Sequence, residues 1–196
     1  MYYRDLIFTV PASDLRFFRD AVLQKLHERH HRLGCAVAFP AWEDNEENVV
    51  DTFDTFTRHA NPGPVVRLFA DSPAALEKAP AVLEIDELKD KGILAVTPVR
   101  EVPKGCGAVA FCRSRRTDSA IRRSRRGKDD LLTRQHREAE VRRTHHRQAY
   151  LKVDSTKGHT FSLYIERQPG EAPSEKLNIT SYGLSRTSEP CYLPDF

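Results

Sequence analysis

The chain has 196 residues, of which 39% are hydrophobic and 30% charged, and its formal net charge is +3. This length suits one large domain or two small ones, and the hydrophobic fraction excludes a wholly disordered chain. No apolar run approaches the roughly 20 residues of a membrane-spanning helix, the first residues do not resemble a secretory signal, and the four cysteines form no CxxC pair. We therefore expect a cytoplasmic protein with reduced thiols, no membrane partner and no metal framework.

The first helix is predicted from capping residues and from a stripe of apolar side chains. Residues 2–10 have the composition of a strand that Pro11 ends, and Ser13 or Asp14 can then cap a helix running to about His31. Gly34 is expected to stop this helix. Apolar residues recur at helical spacing and mark its core face at Leu15, Phe18, Val22 and Leu26.

The rest of the first half continues the alternation of strands and helices. Strands are predicted over residues 35–39, 65–70 and 93–99, and Pro73 suits the first turn of a helix that ends near Val82. The acidic residues 42–48 read as a loop, and residues 49–57 fit a strand or a short helix equally well. The order strand–helix–strand–strand–helix–strand predicts a ferredoxin-like (βαββαβ) domain over residues 1–97.

The second half, residues 98–196, is expected to form a smaller α/β domain within an α+β fold. Residues 148–167 read as two strands joined by a turn at Lys157 and Gly158, followed by a loop over 168–170 and a last strand over 177–185. A basic stretch, residues 113–128, precedes them, and a further helix can start at Asp129.

Charge is distributed very unevenly between the two halves. Residues 1–97 carry 11 Lys and Arg against 16 Asp and Glu, whereas residues 98–196 carry 20 against 12. Residues 113–147 alone hold 13 basic and 5 acidic side chains. A merely solvated helix usually mixes its charges, so this excess indicates a surface that binds a polyanion, most simply a nucleic acid.

The densest basic segment is predicted to form an arginine-rich helix. If residues 119–126 are helical, Arg122, Arg125 and Arg126 lie close together and Arg123 widens the basic arc to roughly 160°. No acidic residue within the segment can neutralise these charges. Arginine suits phosphates and guanine edges, and a helix enters the narrow A-form major groove most easily near a hairpin end. The alternative is an exposed helix without a partner.

Histidine is the residue type best suited to acid–base chemistry here. RNA can be cut by divalent metal held on clustered carboxylates, or by a side chain that assists attack by the RNA's own 2′-hydroxyl. No histidine–carboxylate set has metal-ligand spacing, and the pair His27 and His31 is too small for a zinc site. Histidine titrates near neutrality without tuning, and His27 lies beside the apolar helix stripe, about 100° from Leu26.

Several strings occur in an order that resembles a known family. They are KLH at 25–27, CAVAFP at 35–40, the basic helix, KVDSTKGHTFSLYIER at 152–167, and SYGLS at 181–185. In this order and spacing, over nearly the whole chain, they resemble the subtype I-F branch of CRISPR-associated endoribonucleases, which cut precursor CRISPR RNA at its repeat hairpin. The resemblance implies a ferredoxin-like first domain and cleavage at the base of the hairpin stem, with no metal or cofactor.

The resemblance also implies roles for particular residues in the cleavage. His27 takes the proton from the 2′-hydroxyl, Ser155 holds the ribose, and Tyr182 orients the histidine or the scissile region. Asp154 and Thr156 are alternatives to Ser155, because the turn is one residue longer than the family pattern. The products are a 2′,3′-cyclic phosphate and a 5′-hydroxyl.

RNA binding is assigned to basic residues and to one aromatic ring. Phe161 matches an aromatic residue that stacks on a nucleotide, and it can also be a core residue. The other expected RNA contacts are Arg113, Arg115, Arg122, Arg123, Arg125 and Arg126. The expected partners are the CRISPR repeat RNA hairpin and other subunits of a crRNA-guided effector complex, with a monomer when free. A non-catalytic hairpin-binding subunit is the alternative, and a generic basic DNA- or ribosome-associated protein is a third.

Overall fold

A computed structural model describes residues 1–44, 60–114, 133, 148–154 and 160–196. Over these residues the protein is α+β, with two sheets and a few helices, so the predicted class is confirmed. The ambiguous segment 49–57, the arginine-rich helix and the turn at Lys157 and Gly158 lie outside the described residues. Among the described residues, no helix is both long and apolar enough to cross a bilayer.

The elements of the first half follow the predicted alternation. Helix α4 and strand β5 were not predicted, because both are short and lack a clear apolar period. The elements are β1 (Tyr2–Phe8), α1 (Ala12–Glu28), α2 (His30–Leu33), β2 (Ala36–Ala38), β3 (Val65–Ala70), α3 (Pro73–Leu83), α4 (Asp86–Asp90), β4 (Leu94–Val96) and β5 (Arg100–Glu101).

The first sheet has the strand order β2-β3-β1-β4, and β5 also pairs with β1. Every pair in it is antiparallel. Strand β3 is buried along nearly its whole length, whereas in β1 only Tyr3, Leu6 and Phe8 are buried. The helices α1 and α3 each connect a strand to the next one along the chain, and both pack against β1.

Helix α1 begins earlier and ends earlier than predicted. It starts at Ala12, and neither predicted cap acts as one: the Ser13 hydroxyl donates to Asp14 Oδ1 at 3.1 Å. The carbonyl of Pro11 accepts the backbone N–H groups of Asp14 and Leu15 instead. The helix ends at Glu28, α2 follows, and a left-handed glycine (φ +58°) at position 34 ends α2 as predicted.

The second half forms a sheet with the strand order β10-β6-β8-β7, and β9 pairs with β6 in parallel. The two strands predicted on either side of the 157–158 turn are confirmed as β7 and β8, although β8 runs further. Strand β6 was not predicted. The elements are β6 (Gly107–Ser114), β7 (Gln148–Asp154), β8 (Thr160–Gly170), β9 (Ser185–Arg186) and β10 (Leu193–Asp195).

Two predictions near the C-terminus are wrong. The expected loop over 168–170 is the end of β8, which pairs with residues 108–110 of β6. Pro169 is tolerated there because β7 begins opposite Glu166, so among the described residues β8 has no partner strand on that side beyond Glu166. The expected last strand over 177–185 is a loop and a tight turn, and only Ser185 of that segment enters a strand.

The two sheets contribute to one continuous cluster of buried apolar residues. Helix α1 packs both on β1 of the first sheet and on β7 of the second. An edge-to-face contact between Phe39, directly after β2, and Phe111 of β6, with centroids 5.2 Å apart, joins the sheets on another side. The two halves of the chain therefore share one core, and the division into two domains near residue 97 stays a prediction.

Candidate active site between helix α1 and the C-terminal turn

His27 lies in the last turn of α1, at the margin of the core. Its neighbour Leu26 is fully buried, whereas His27, about 100° further around the helix, is half-buried. Its Nδ1 atom is enclosed and has no hydrogen-bond partner among the described residues. The helix therefore holds the imidazole with one ring nitrogen inside the protein.

Tyr182 stacks on the imidazole of His27. The ring centroids are 3.8 Å apart and the planes differ by only 6°. Tyr182 is buried, with 8% of its surface exposed. The structure thus brings together two of the residues predicted for the site, one from the first helix and one from near the end of the chain.

A glycine turn places Tyr182 against α1. Gly183 has a φ of +72°, and its N–H donates to the carbonyl of Thr180 at 2.9 Å, closing the turn. Its own carbonyl accepts the N–H of Val37 in β2 at 2.8 Å. A methyl group at this position would lie 2.6 Å from Val37 Cγ2 and 2.8 Å from the carbonyl oxygen of Cys35. Only glycine fits this contact, so the turn is fastened to β2.

Arg113, at the end of β6, lies on the ring of Tyr182. Its guanidinium carbon is 5.5 Å from the ring centroid, within cation–π range, and its Nε atom is buried without a hydrogen-bond partner in the described part of the chain. Burial raises the pKa of Tyr182, and the positive charge of Arg113 opposes that shift. The phenol is therefore protonated at neutral pH. The sequence predicted Arg113 as an RNA contact, but its proximity to Tyr182 was not foreseen.

The ends of β7 and β8 approach the same region. The Asp154 carboxylate accepts a hydrogen bond from the Thr160 hydroxyl at 2.6 Å, and the Asp154 carbonyl accepts one from Gln24 Nε2 at 3.1 Å. Gln24 is one helical turn before His27. Ser155 and Thr156 follow Asp154 directly and lie outside the described residues.

Phe161 is half-buried and packs against the core. It lies opposite Val153 in the β7–β8 pair, and Val153 is buried. Cross-strand partners share a face of the sheet, so Phe161 belongs to the core-facing side at the margin of that core.

The other predicted RNA contacts fall outside the described residues. These are Arg115, Arg122, Arg123, Arg125 and Arg126.

The position of His30 beside the candidate site was not predicted. His30 is half-buried, and burial, with His27 and His31 nearby, lowers its pKa. The run of charged residues around it gave no sign of this position. In the described part of the chain, no group of three His, Cys, Asp or Glu side chains could hold a metal ion.

These features define an α+β protein with a histidine–tyrosine stack between its first helix and a C-terminal turn, and with a strongly basic second half. A protein-family model described as CRISPR-associated protein (Cas_Csy4) matches residues 6–196. The chain belongs to this family, whose members are endoribonucleases that process precursor CRISPR RNA and bind its repeat hairpin. The predicted family is confirmed. No curated protein matched the chain.

Proposed function

We propose that this protein cleaves precursor CRISPR RNA at the base of the repeat hairpin without a metal ion. The 2′-hydroxyl of the nucleotide upstream of the cut gives its proton to the base and attacks the adjacent phosphorus. The bond from phosphorus to the 5′-oxygen breaks, and that oxygen takes up a proton from water. The products are a 2′,3′-cyclic phosphate and a 5′-hydroxyl. The observation that carries the proposal is the stack of His27 on Tyr182. The histidine can accept a proton, and the tyrosine ring can hold the imidazole in place.

His27 acts as the general base in this proposal. An imidazole has an ordinary pKa near neutrality and can accept a proton without tuning. Because Nδ1 is enclosed, Nε2 is the nitrogen that meets the 2′-hydroxyl. General-base assistance typically contributes on the order of 10²–10⁴ in rate.

Tyr182 orients the base rather than reacting itself. Its phenol stays protonated at neutral pH because burial raises its pKa. Stacked aromatic pairs contribute about 0.5–1.5 kcal/mol beyond simple burial, which limits rotation of the imidazole. A fixed base lowers the entropic part of the barrier to reaction.

Ser155 holds the ribose, and Asp154 is the weaker alternative. The Asp154 carboxylate already accepts the Thr160 hydroxyl, so one of its oxygens is engaged within the protein. Thr156 keeps the same chemistry as Ser155 and stays the second choice. The hairpin is held by Phe161 and by the basic side chains Arg113, Arg115, Arg122, Arg123, Arg125 and Arg126.

The wider setting of the protein follows from the same proposal. The strand order β2-β3-β1-β4 with antiparallel neighbours supports a ferredoxin-like first domain over 1–97, with the RNA-binding domain over 98–196. We expect the protein to be cytoplasmic and monomeric when free. After cleavage it stays on the product hairpin as a subunit of a crRNA-guided effector complex.

The test is cleavage of the repeat hairpin encoded in the same genome, in excess EDTA, with the product ends identified by mass spectrometry. His27→Ala should abolish cleavage and still bind the hairpin. His31→Ala, at an exposed position of α2, is the matched control and should cleave normally. A 2′-deoxy nucleotide upstream of the cut should stop cleavage but not binding.

Three results would contradict the proposal. Cleavage of the deoxy substrate excludes attack by the 2′-hydroxyl, and loss of activity in EDTA that added metal restores excludes the metal-independent route. A wild type that binds the hairpin tightly but never cuts it establishes the non-catalytic binding subunit instead.

A further inference from the structure

A cavity of about 310 Å³ lies at the start of α1, whereas His27 lies in the last turn of that helix. Its walls come from the first two turns of α1, from the segment that follows residue 59 and from β7. They include Ala12, Arg16, Arg19 and Asn61. In the part of the chain that the structure describes, no acidic side chain lines this cavity, so its wall is cationic.

The two arginines of this wall are only partly hydrogen-bonded. Arg19 is almost fully buried, with 3% of its surface exposed, and its Nη1 atom donates to the carbonyl of Gly63 at 3.2 Å. Arg16 Nη1 donates to the Tyr150 hydroxyl at 2.7 Å. Among the described residues, Arg19 Nε and Arg16 Nη2 are enclosed and have no hydrogen-bond partner. Each guanidinium group therefore keeps an unused donor inside the protein.

Asp20 does not neutralise both arginines. Its Oδ2 atom accepts the N–H of Lys152 in β7 at 2.8 Å. The Nε atoms of Arg16 and Arg19 each lie 3.6 Å from an oxygen of its carboxylate, which exceeds a normal hydrogen bond. Burial lowers the pKa of Arg19, and the charge of Asp20 only opposes that shift. Two cations share one anion, so the cluster has an excess positive charge where unpaired charge is costly.

The start of α1 adds positive potential to the same wall. No side chain caps the helix, and the Pro11 carbonyl accepts the N–H groups of Asp14 and Leu15. The first N–H groups of a helix carry partial positive charge and bind anions when no side chain satisfies them. Asp14, the acidic residue of the first turn, lies about 160° around the helix from Arg16 and therefore on the other face.

Arg16 and His27 lie on the same face of α1. They are 11 residues apart, almost three full turns, so their directions differ by about 20° and their separation along the axis is about 16 Å. A stacked strand advances about 3.4 Å per nucleotide, so about five nucleotides span that distance, and fewer do when the strand is extended. RNA that runs along this face from a scissile phosphate at His27 therefore reaches the cavity.

We propose that this cavity binds a phosphate of the single-stranded RNA that adjoins the base of the repeat hairpin. Planar arginine forks and helix N–H groups both suit phosphate oxygens, and a phosphate supplies the negative charge that Asp20 does not. RNA is favoured as the source because the cavity lies on the face of α1 that carries His27. The inference rests on the proposed function for the placement of the hairpin base at His27.

The experiment measures the affinity of hairpins with and without single-stranded flanks. Each hairpin has a 2′-deoxy nucleotide upstream of the cut, so binding is measured without cleavage. Flanks of about two, five and ten nucleotides extend from either side of the base. Kd is measured over a series of salt concentrations, and thermal melting monitors the fold. Melting in inorganic phosphate without RNA tests the free anion as the alternative source.

Two substitutions make the wall of the cavity less positive. Arg16→Gln removes a cation, and its matched control Arg100→Gln removes one from an exposed position of β5. Asn61→Asp adds an anion and keeps the oxygen that accepts the Gly63 N–H at 3.1 Å. Its matched control is Asn178→Asp, at an exposed position near the C-terminus. Because Asn61→Asp keeps the shape of the side chain, it tests the charge even if Arg16→Gln melts much lower.

Wild type should bind hairpins with a flank of about five nucleotides or more about tenfold more tightly than the bare hairpin, the scale of one charge-assisted contact. Arg16→Gln and Asn61→Asp should lose most of this gain and leave the Kd of the bare hairpin within about twofold of wild type. For the flanked hairpin, the slope of log Kd against log salt should fall by about 0.7, the value for one phosphate on a single strand. Both controls should match wild type.

The inference fails if the flank adds no affinity to wild type. It also fails if the two variants weaken bare and flanked hairpins equally, because that result indicates a general effect of charge or fold. If phosphate raises the melting temperature of wild type more than that of Asn61→Asp, and the flank adds nothing, the cavity binds a free anion instead of RNA. Each of these results leaves the proposed function intact when wild type cuts the unmodified hairpin and His27→Ala does not. A wild type that never cuts overturns the proposed function, whereas the gain from the flank is measured independently of cleavage.

Discussion

Replacing Tyr182 by leucine tests the importance of the stack on His27. Leucine keeps an apolar side chain in the buried position but cannot lie flat against an imidazole. Phenylalanine keeps the ring and removes only the hydroxyl. The pair of variants therefore separates the planar contact from the chemistry of the phenol.

The expected size of the effect can be worked from the stack. The ring centroids are 3.8 Å apart and the planes differ by 6°. Aromatic pairs in general contribute about 0.5–1.5 kcal/mol beyond burial, and we use that range as the scale of the effect. Since about 1.4 kcal/mol is a tenfold change in rate, Tyr182→Leu should cleave about two- to thirteenfold more slowly. The smaller side chain also leaves a small cavity, which should lower the free energy of unfolding by about 2 kcal/mol. For a chain of this size the melting temperature should then fall by about 4–8 °C.

The assay is single-turnover cleavage at a temperature well below the melting point of every variant, with hairpin affinity measured in parallel. Tyr182→Phe should retain the wild-type rate and melting point. A Tyr182→Leu variant that stays folded and cleaves at the wild-type rate would refute the orienting role. A Tyr182→Phe variant as slow as Tyr182→Leu would assign the effect to the hydroxyl.

Three further predictions concern pH, the glycine turn and the thiols. Burial, with His27 and His31 nearby, lowers the pKa of His30 from its ordinary value of 6.5, so the folded state favours neutral His30. The free energy of unfolding should therefore fall as the pH drops through 6.5. In His30→Gln, melting temperatures measured across this pH range should fall less steeply than in wild type, and an equal dependence on pH would contradict the prediction. Gly183→Ala should lower stability by about 1–3 kcal/mol in urea titrations and slow cleavage, because the added methyl group meets β2. Gly92→Ala, also at positive φ but facing open space, should cost less, and equal losses would point to backbone strain alone. Cys106 should be alkylated first in the native protein, because the other three thiols are buried and burial raises the pKa of Cys35 to about 12. Mass spectrometry of the intact protein follows the labelling, and earlier alkylation of a buried thiol would contradict the fold.

The first half of the chain was predictable because its elements carry strong local signals. The apolar run of β3, the proline at the start of α3 and the glycine after α2 each determine backbone conformation at short range. The end of α1 was placed too late, because helical spacing continues across the break at Arg29 into α2. The amino-acid composition of the segment does not indicate such a break.

Errors near the C-terminus have a common physical origin. Pro169 and Gly170 are typical of loops, yet they continue β8 because β6 pairs with them, and in the described part of the chain β7 begins only opposite Glu166. The segment before Ser185 has the composition of a strand, yet Gly183 turns it back onto β2. In both places a partner distant in sequence decides the conformation.

The sequence by itself determined the helix that carries His27, the concentration of basic charge in the second half and the family to which the chain belongs. It could not determine which residues meet. The stack of Tyr182 on His27, the approach of Arg113 and the alignment of α1 with β7 arise where distant elements pack. Local periodicity defines which face of an element is buried, whereas only the packed core decides what lies against that face.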